Sequence, residues 1–171
     1  MESYHIFETA KGFMAIAWNS EDAICALLLP YRQGQDLRNY LKAAWQGRCE
    51  VQEPPHRLAA MIQDIRRYFA GEIKELPSLP LSLEGQSPFR KEVYQFLQGL
   101  PLGKTIAYGE LAAELGRPKG ARAVGSAMAK NPIPLLIPCH RVLLASKKIG
   151  HFTGDWGPEL KAWMLHHEGA L

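Results

Sequence analysis

Long apolar runs are missing from this 171-residue chain. The longest, Ala23 to Pro30 (AICALLLP), falls well short of the roughly 18 residues that cross a bilayer, and no N-terminal stretch has the order of a signal peptide. These absences predict a soluble, intracellular protein with no membrane partner. Cysteine is scarce as well. Cys25, Cys49 and Cys139 form an odd set without CxxC spacing, which excludes a disulfide framework and a four-cysteine zinc site and leaves at least one thiol free. The 15 glycines and 12 prolines are scattered rather than clustered, so neither a collagen-like repeat nor a flexible linker fits. What remains is ordinary globular composition, 47% hydrophobic and 22% charged, sufficient for one large domain or two small ones.

Acidic residues are missing from one particular stretch. Between Leu115 and Gly154 stand Arg117, Lys119, Arg122, Lys130, Arg141, Lys147 and Lys148, with no Asp or Glu among them. Such a segment attracts polyanions, unless it is merely a solvated face. Residues 1–83 hold nine basic and ten acidic side chains, whereas residues 84–171 hold eleven and seven, so the net charge of +3 sits in the second half.

The first third reads as strands. Tyr4 to Glu8, Phe13 to Trp18 and Ala23 to Leu29 are short apolar or alternating runs separated by turn residues, the pattern of an antiparallel meander. Helices are expected over Asp36 to Trp45 and, after Pro54-Pro55, over the three- and four-residue spacing of Leu58, Met61, Ile62, Ile65, Tyr68 and Phe69, with Gly71 ending the second. Residues 72–86 read as an irregular connection with a short strand at Leu81 to Leu83, and the domain boundary belongs there. Beyond it, Ser87 can cap a helix that opens on Pro88 and carries Phe89, Val93, Phe96 and Leu97.

A helix-turn-helix pattern follows, with Gly116 in the turn and a second helix over Pro118 to Lys130. That second helix is built almost entirely of small residues around Arg122. At helical spacing Ala121, Val124 and Met128 face the core, while Arg122, Ser126 and Ala129 share the other side. Tight helix packing explains small residues; so does close approach to another surface.

The segment Pro138-Cys139-His140-Arg141-Val142 is the most informative. A single cysteine follows a proline-rich apolar run, and the cation-forming His140 and Arg141 beside it are expected to favour its thiolate. A cysteine in an apolar stretch can equally be an inert, buried small hydrophobe.

This pentapeptide resembles the active-site signature of the O6-alkylguanine-DNA alkyltransferases, the methylated-DNA–protein-cysteine methyltransferases. The resemblance runs from about Ser87 to Gly169, through Tyr108, Gly120-Ala121-Arg122-Ala123-Val124-Gly125, Asn131-Pro132, Gly150 and Leu165-His166-His167-Glu168, which is about half the chain. It implies an α+β protein. A small ribonuclease-H-like α/β domain, residues 1–83, would precede a mostly helical, winged-helix-like (helix-turn-helix) domain, residues 84–171, that binds DNA and carries the transfer.

The implied reaction is irreversible, single-turnover transfer of an alkyl group from O6-alkylguanine in DNA to Cys139, with O4-alkylthymine as a second candidate substrate. Resemblance gives His140 the role of base acting through a water, Glu168 that of orienting it, and Asn131 that of hinge between recognition helix and active-site loop. It makes Arg122 the residue that fills the gap left by a flipped nucleotide, and Tyr108 the one that promotes rotation and contacts the base. Ala121, Gly125, Ser126 and Arg141 fall on the DNA side. Phe152 and Thr153 stand where the family often has tyrosine and serine, so stacking and a hydroxyl are kept while a phenolic oxygen is lost.

The family includes members with a structural zinc site, but residues 1–83 show no matching cluster and the chain no cofactor motif, so no metal or cofactor is expected. The resemblance further implies double-stranded DNA bound through the minor groove by a monomer in the cytoplasm with the nucleoid, or in a nucleus if the source is eukaryotic. Two other classes fit parts of the pattern. A binding-only alkyltransferase-like protein would keep the flipping residues but replace Cys139, and a cysteine hydrolase would leave Arg122 and its flat helix unexplained.

Overall fold

In the computed structural model, which describes residues 2–171, the chain forms two compact units. The first comprises residues 1–82 with the returning segment 154–156, and the second comprises residues 83–153 and 157–171. The whole is mixed α/β. Among the described residues no helix is long and apolar enough to cross a membrane.

In the first unit the meander forms as the alternation predicts: β1 (Ser3–Thr9), β2 (Gly12–Trp18) and β3 (Ile24–Tyr31) pair antiparallel in sequence. A two-residue strand, β4 (Cys49–Glu50), adds in parallel to β1, giving the order β3-β2-β1-β4. Central β2 is buried on both faces from Met14 to Trp18. The small side chains of Ala15, Ala17 and Ala26 make room for Leu37, Leu41 and Trp45 in and just after α1 (Gly34–Ala44). Helix α2 (His56–Phe69) lies against β1 and buries Leu58, Met61, Ile62, Ile65, Tyr68 and Phe69, the six positions its spacing marks. Cys25 and Cys49 sit on the two edge strands of the sheet, with no disulfide between them. The strand expected at Leu81 to Leu83 reduces to one bridge between Leu81 and Ile24.

The second unit opens with α3 (Pro88–Gln98), whose first turn is capped by the Ser87 hydroxyl accepting from the Arg90 amide at 3.4 Å. Its buried stripe is Val93, Tyr94 and Leu97; Phe89 and Phe96 are only half-buried. Tyr94 replaces them because its hydroxyl reaches across to donate to the Ala127 carbonyl at 2.9 Å, so a polar tip is satisfied inside the core. Next come β5 (Ile106–Ala107), α4 (Tyr108–Glu114) and α5 (Ala121–Ala129). The Glu110 carboxylate caps α4 by accepting from the Ala107 amide at 2.8 Å.

Helix α5 starts three residues later than the sequence pattern suggests. Gly116 turns at φ +70°, and Gly120 packs so closely that a Cβ there would stand 2.9 Å from the Arg117 carbonyl oxygen. Pro118 to Gly120 are thereby spent on the turn. The core side of α5 is Val124, Ala127 and Met128, while Ala121 is half-buried rather than a core residue. Its open face carries Arg122, Ala123, Ser126 and Ala129, all exposed. A short 3-10 turn at Cys139–Arg141, β6 (Val142–Leu143) and α6 (Pro158–His167) complete the unit.

Candidate active site

The two-residue strands carry much of the placement. β5 pairs in parallel with β6, Ile106 opposite Val142 and Ala107 opposite Leu143. Cys139 lies just before β6 and Tyr108 just after β5, so this short pairing brings both to one cavity of about 270 Å³. The same cavity takes Gly125, Met128 and Ala129 from α5, and Leu144, His151, Phe152 and Thr153 from the segment that follows the nucleophile. Lys161 of α6 completes the wall. Phe152 is packed inside at 6% exposure, whereas the Thr153 side chain sits at the open rim.

Asn131 organises the loop that presents the thiol. Its side-chain oxygen accepts from the Ile133 amide at 3.0 Å, and its amide donates to the Ile137 carbonyl at 2.9 Å, strapping residues 131–137 into a fixed bend. The bend includes Leu135 at φ +77°, a left-handed conformation that a branched side chain adopts only under constraint. The same amide favours the ionised sulfur. Helix α5 closes one residue earlier, at Lys130, so Asn131 belongs to this loop.

Behind the cysteine lies a buried acid-base pair. His140 is fully buried, and its Nε2 lies 2.9 Å from Glu168 Oε1. Arg141 Nε donates to the other carboxylate oxygen at 2.7 Å, and its Nη1 donates to the Leu100 carbonyl at 2.7 Å. Burial alone would push the Glu168 carboxyl up, but hydrogen bonds from His140 and Arg141 outweigh it and hold the group at about 2. Burial pushes the His140 imidazole down, against the pull of Glu168, which keeps it neutral near pH 7. An ionised carboxylate only accepts, so the proton of neutral His140 must sit on Nε2. Nδ1 is left as the bare lone pair; it is buried and has no hydrogen-bond partner among the described residues.

The electrostatics differ from the sequence expectation at two points. Arg141, grouped there with the DNA-facing side chains, turns inward, and its side chain is only 13% exposed. Nor do His140 and Arg141 supply a positive field to the thiol, since one is neutral and the other is matched by Glu168. Burial pushes the Cys139 thiol up; Asn131 and the Lys161 charge oppose that rise. Of the remaining basic residues in the acid-free stretch, Arg117 pairs with Glu92 at 2.5 Å and covers Phe89. Lys119, Arg122, Lys130, Lys147 and Lys148 are exposed.

Sequence comparison decides the lineage. The family model for the DNA-binding domain of 6-O-methylguanine DNA methyltransferase matches residues 88–170. The constitutive methylated-DNA--protein-cysteine methyltransferase of Bacillus subtilis is 37% identical over 168 residues, 98% of this chain and 96% of that one. The chain belongs to the methylated-DNA--protein-cysteine methyltransferase family. A further member, from Shigella flexneri, is 43% identical over 107 residues, covering 63% of this chain and 61% of its own length. Among solved structures, the Mycobacterium tuberculosis OGT in complex with DNA superposes with a TM-score of 0.78 at 30% identity, covering 98% of this chain and 93% of that one.

Of the residues marked in the sequence, Tyr108, Gly125, Cys139, Phe152 and Thr153 meet at the cavity. His140, Glu168 and Arg141 form the network behind it, Asn131 the strap, and Arg122 and Ser126 the exposed face of α5. Lys161 went unmarked. The available signal was a lysine beside Leu160 and three and four residues before Met164 and Leu165, on the buried face of α6.

Proposed function

We propose that this chain repairs DNA directly, taking the alkyl group of O6-alkylguanine onto Cys139 in a single irreversible turnover. What carries the reading is the placement of a buried thiol in a base-sized apolar cavity, next to a neutral histidine whose Nδ1 is bare and whose Nε2–H is held by an ionised carboxylate. The thiol proton passes to His140 Nδ1 through a bridging water, and the imidazolium so formed is stabilised by Glu168. Sulfur then attacks the alkyl carbon in line. The S–C bond forms as the C–O bond breaks, the electron pair leaves on the guanine oxygen, and the base regains a proton to become ordinary guanine. Thr153 and Tyr108, on the cavity wall, are positioned to donate to that base, and Phe152 stacks on it.

Reaction at the base requires that it leave the duplex. Helix α5 suits a minor groove about 6 Å wide, because its exposed face is made of Ala123, Ser126 and Ala129 with Arg122 as the one long side chain to fill the vacated stack. In this reading residues 1–83 form the ribonuclease-H-like domain and residues 84–171 the winged-helix DNA-binding and transfer domain. The protein acts as a monomer, on double-stranded DNA, in the compartment that holds it.

Intact-mass measurement after incubation with a duplex containing O6-methylguanine tests the proposal. One methyl group per protein, mapped to Cys139 and lost in Cys139→Ala while DNA binding survives, is the expected result. Binding without any mass increase would replace transfer by damage recognition alone, and a label on Cys25 or Cys49 would remove Cys139 from the role.

A further inference from the structure

Besides Cys139 and the tyrosines Tyr68 and Tyr94, three ionisable side chains are buried among the described residues: His140, Glu168 and Lys161. The first two answer each other. Lys161 is 1% exposed, and among the described residues no carboxylate pairs with it. Its contacts are the Val142 carbonyl, which accepts from Nζ at 2.5 Å, and the Phe152 ring, whose centroid lies 5.7 Å away. An ammonium has three donors, and one carbonyl with one ring face does not balance a full charge. The neighbouring buried positions of α6 are Leu160, Met164 and Leu165, so a methionine would fill the same space with no charge to desolvate.

We infer that Lys161, reaching from α6 into the cavity wall, is the positive partner of the ionised Cys139 sulfur. The inference rests on the transfer reading above and adds to it a residue that holds charge rather than one that bonds to substrate. Geometry supplies the link: Lys161 and Cys139 line one cavity, and Lys161 grips the carbonyl of Val142, three residues after the thiol, so that the ammonium and the sulfur are positioned from the same short stretch of chain. The other groups around the sulfur do not take this part: His151, on the same wall, is exposed, and solvent screens any charge it carries. Tyr94 of α3 and Tyr108 of α4 are kept protonated by burial and by the sulfur's own charge; His140 is neutral; Arg141 is matched by Glu168. The two partners correct each other, since burial pushes the thiol up and the amine down while each one's charge opposes the other's shift. Lys161 keeps its three protons throughout; the thiol proton follows the His140 route.

The test is the pH profile of Cys139 labelling by iodoacetamide, read by mass on the full chain, alongside methyl transfer from an O6-methylguanine duplex. Lys161→Met should move the labelling midpoint upward by about one pH unit or more, cutting transfer near pH 7 about tenfold and restoring it at higher pH. Lys161→Arg, which keeps the charge, should hold the midpoint near that of the wild type. An unmoved midpoint in Lys161→Met, or equal losses in both variants with no pH shift, would reduce Lys161 to packing and overturn the inference. If the variants do not fold, nitrogen-15 NMR of the lysine ammonium in the wild-type chain answers instead. Methylation of Cys139 removes the partner charge, so the Lys161 midpoint should fall; a constant value refutes the pairing. The two readings fail separately. A wild type that transfers methyl normally but shows no Lys161 dependence sinks only this inference, whereas a Lys161-dependent labelling midpoint without transfer sinks the repair reading.

Discussion

At the scale of single residues the chemistry turns on where three protons sit. Glu168 is ionised and His140 neutral, and both are held below their ordinary values. A depressed folded-state pKa contributes stability above the unfolded value that disappears as pH falls through the folded one. For His140 the loss begins below about 6.5, and for Glu168 it continues from about 4.5 down to about 2. The thermal midpoint should therefore fall on acidification from pH 7 to 5, before most carboxylates titrate, and His140→Gln should flatten that first limb in a calorimetric series. A limb of equal depth in the variant would assign it elsewhere. Glu168→Gln strands Arg141 beside an uncharged amide in a site 5% exposed, at a cost of about 3 to 5 kcal/mol, read from denaturant unfolding. A loss below about 1 kcal/mol would mean that the pair contributes little.

At the scale of elements, the face of α5 predicts distinct responses from two changes. Ser126→Phe places a ring on an exposed position, where folding stability should stay within about 0.5 kcal/mol while duplex affinity falls. Arg122→Ala should slow repair in duplex DNA far more than reaction with the free alkylated base, because a stack to be filled exists only in the duplex. Equal losses on both substrates would make Arg122 a structural residue. How much of this was legible follows from the range of each signal. Periodicity marked β1 to β3 and the α2 stripe because each is a run of local choices, and the cysteine segment stood out through its composition. Tyr94, Ala127 and the β5–β6 pairing escaped because they are matches between distant segments: a hydroxyl to a carbonyl 33 residues on, and strands of two residues, too short to show a period. Arg141 was misread for a related reason. Charge in a basic stretch looks solvated until the carboxylate that claims it, 27 residues away, is known.

At the scale of the molecule, positive charge belongs to the second unit, and that fixes how binding answers to salt. In the proposed complex the exposed Lys119 and Lys130 would contact phosphate and release counterions, so log affinity should fall linearly with log salt concentration. Removing one phosphate-contacting lysine, as in Lys130→Gln, should weaken binding to every sequence alike and reduce the slope by about 1. A slope that does not change would take Lys130 out of the interface. The placement of sulfur has a different kind of consequence. Cys139 is the only cysteine of the second unit; Cys25 and Cys49 belong to the sheet of the first. A thioether is a poor leaving group, and the unit holds no neighbouring thiol to displace it. Mixed with excess lesion, the protein should give a burst whose amplitude equals its own concentration and then nothing. A cell carrying it can raise its repair capacity only by synthesising more chains, so its tolerance to alkylation follows protein copy number rather than any rate constant.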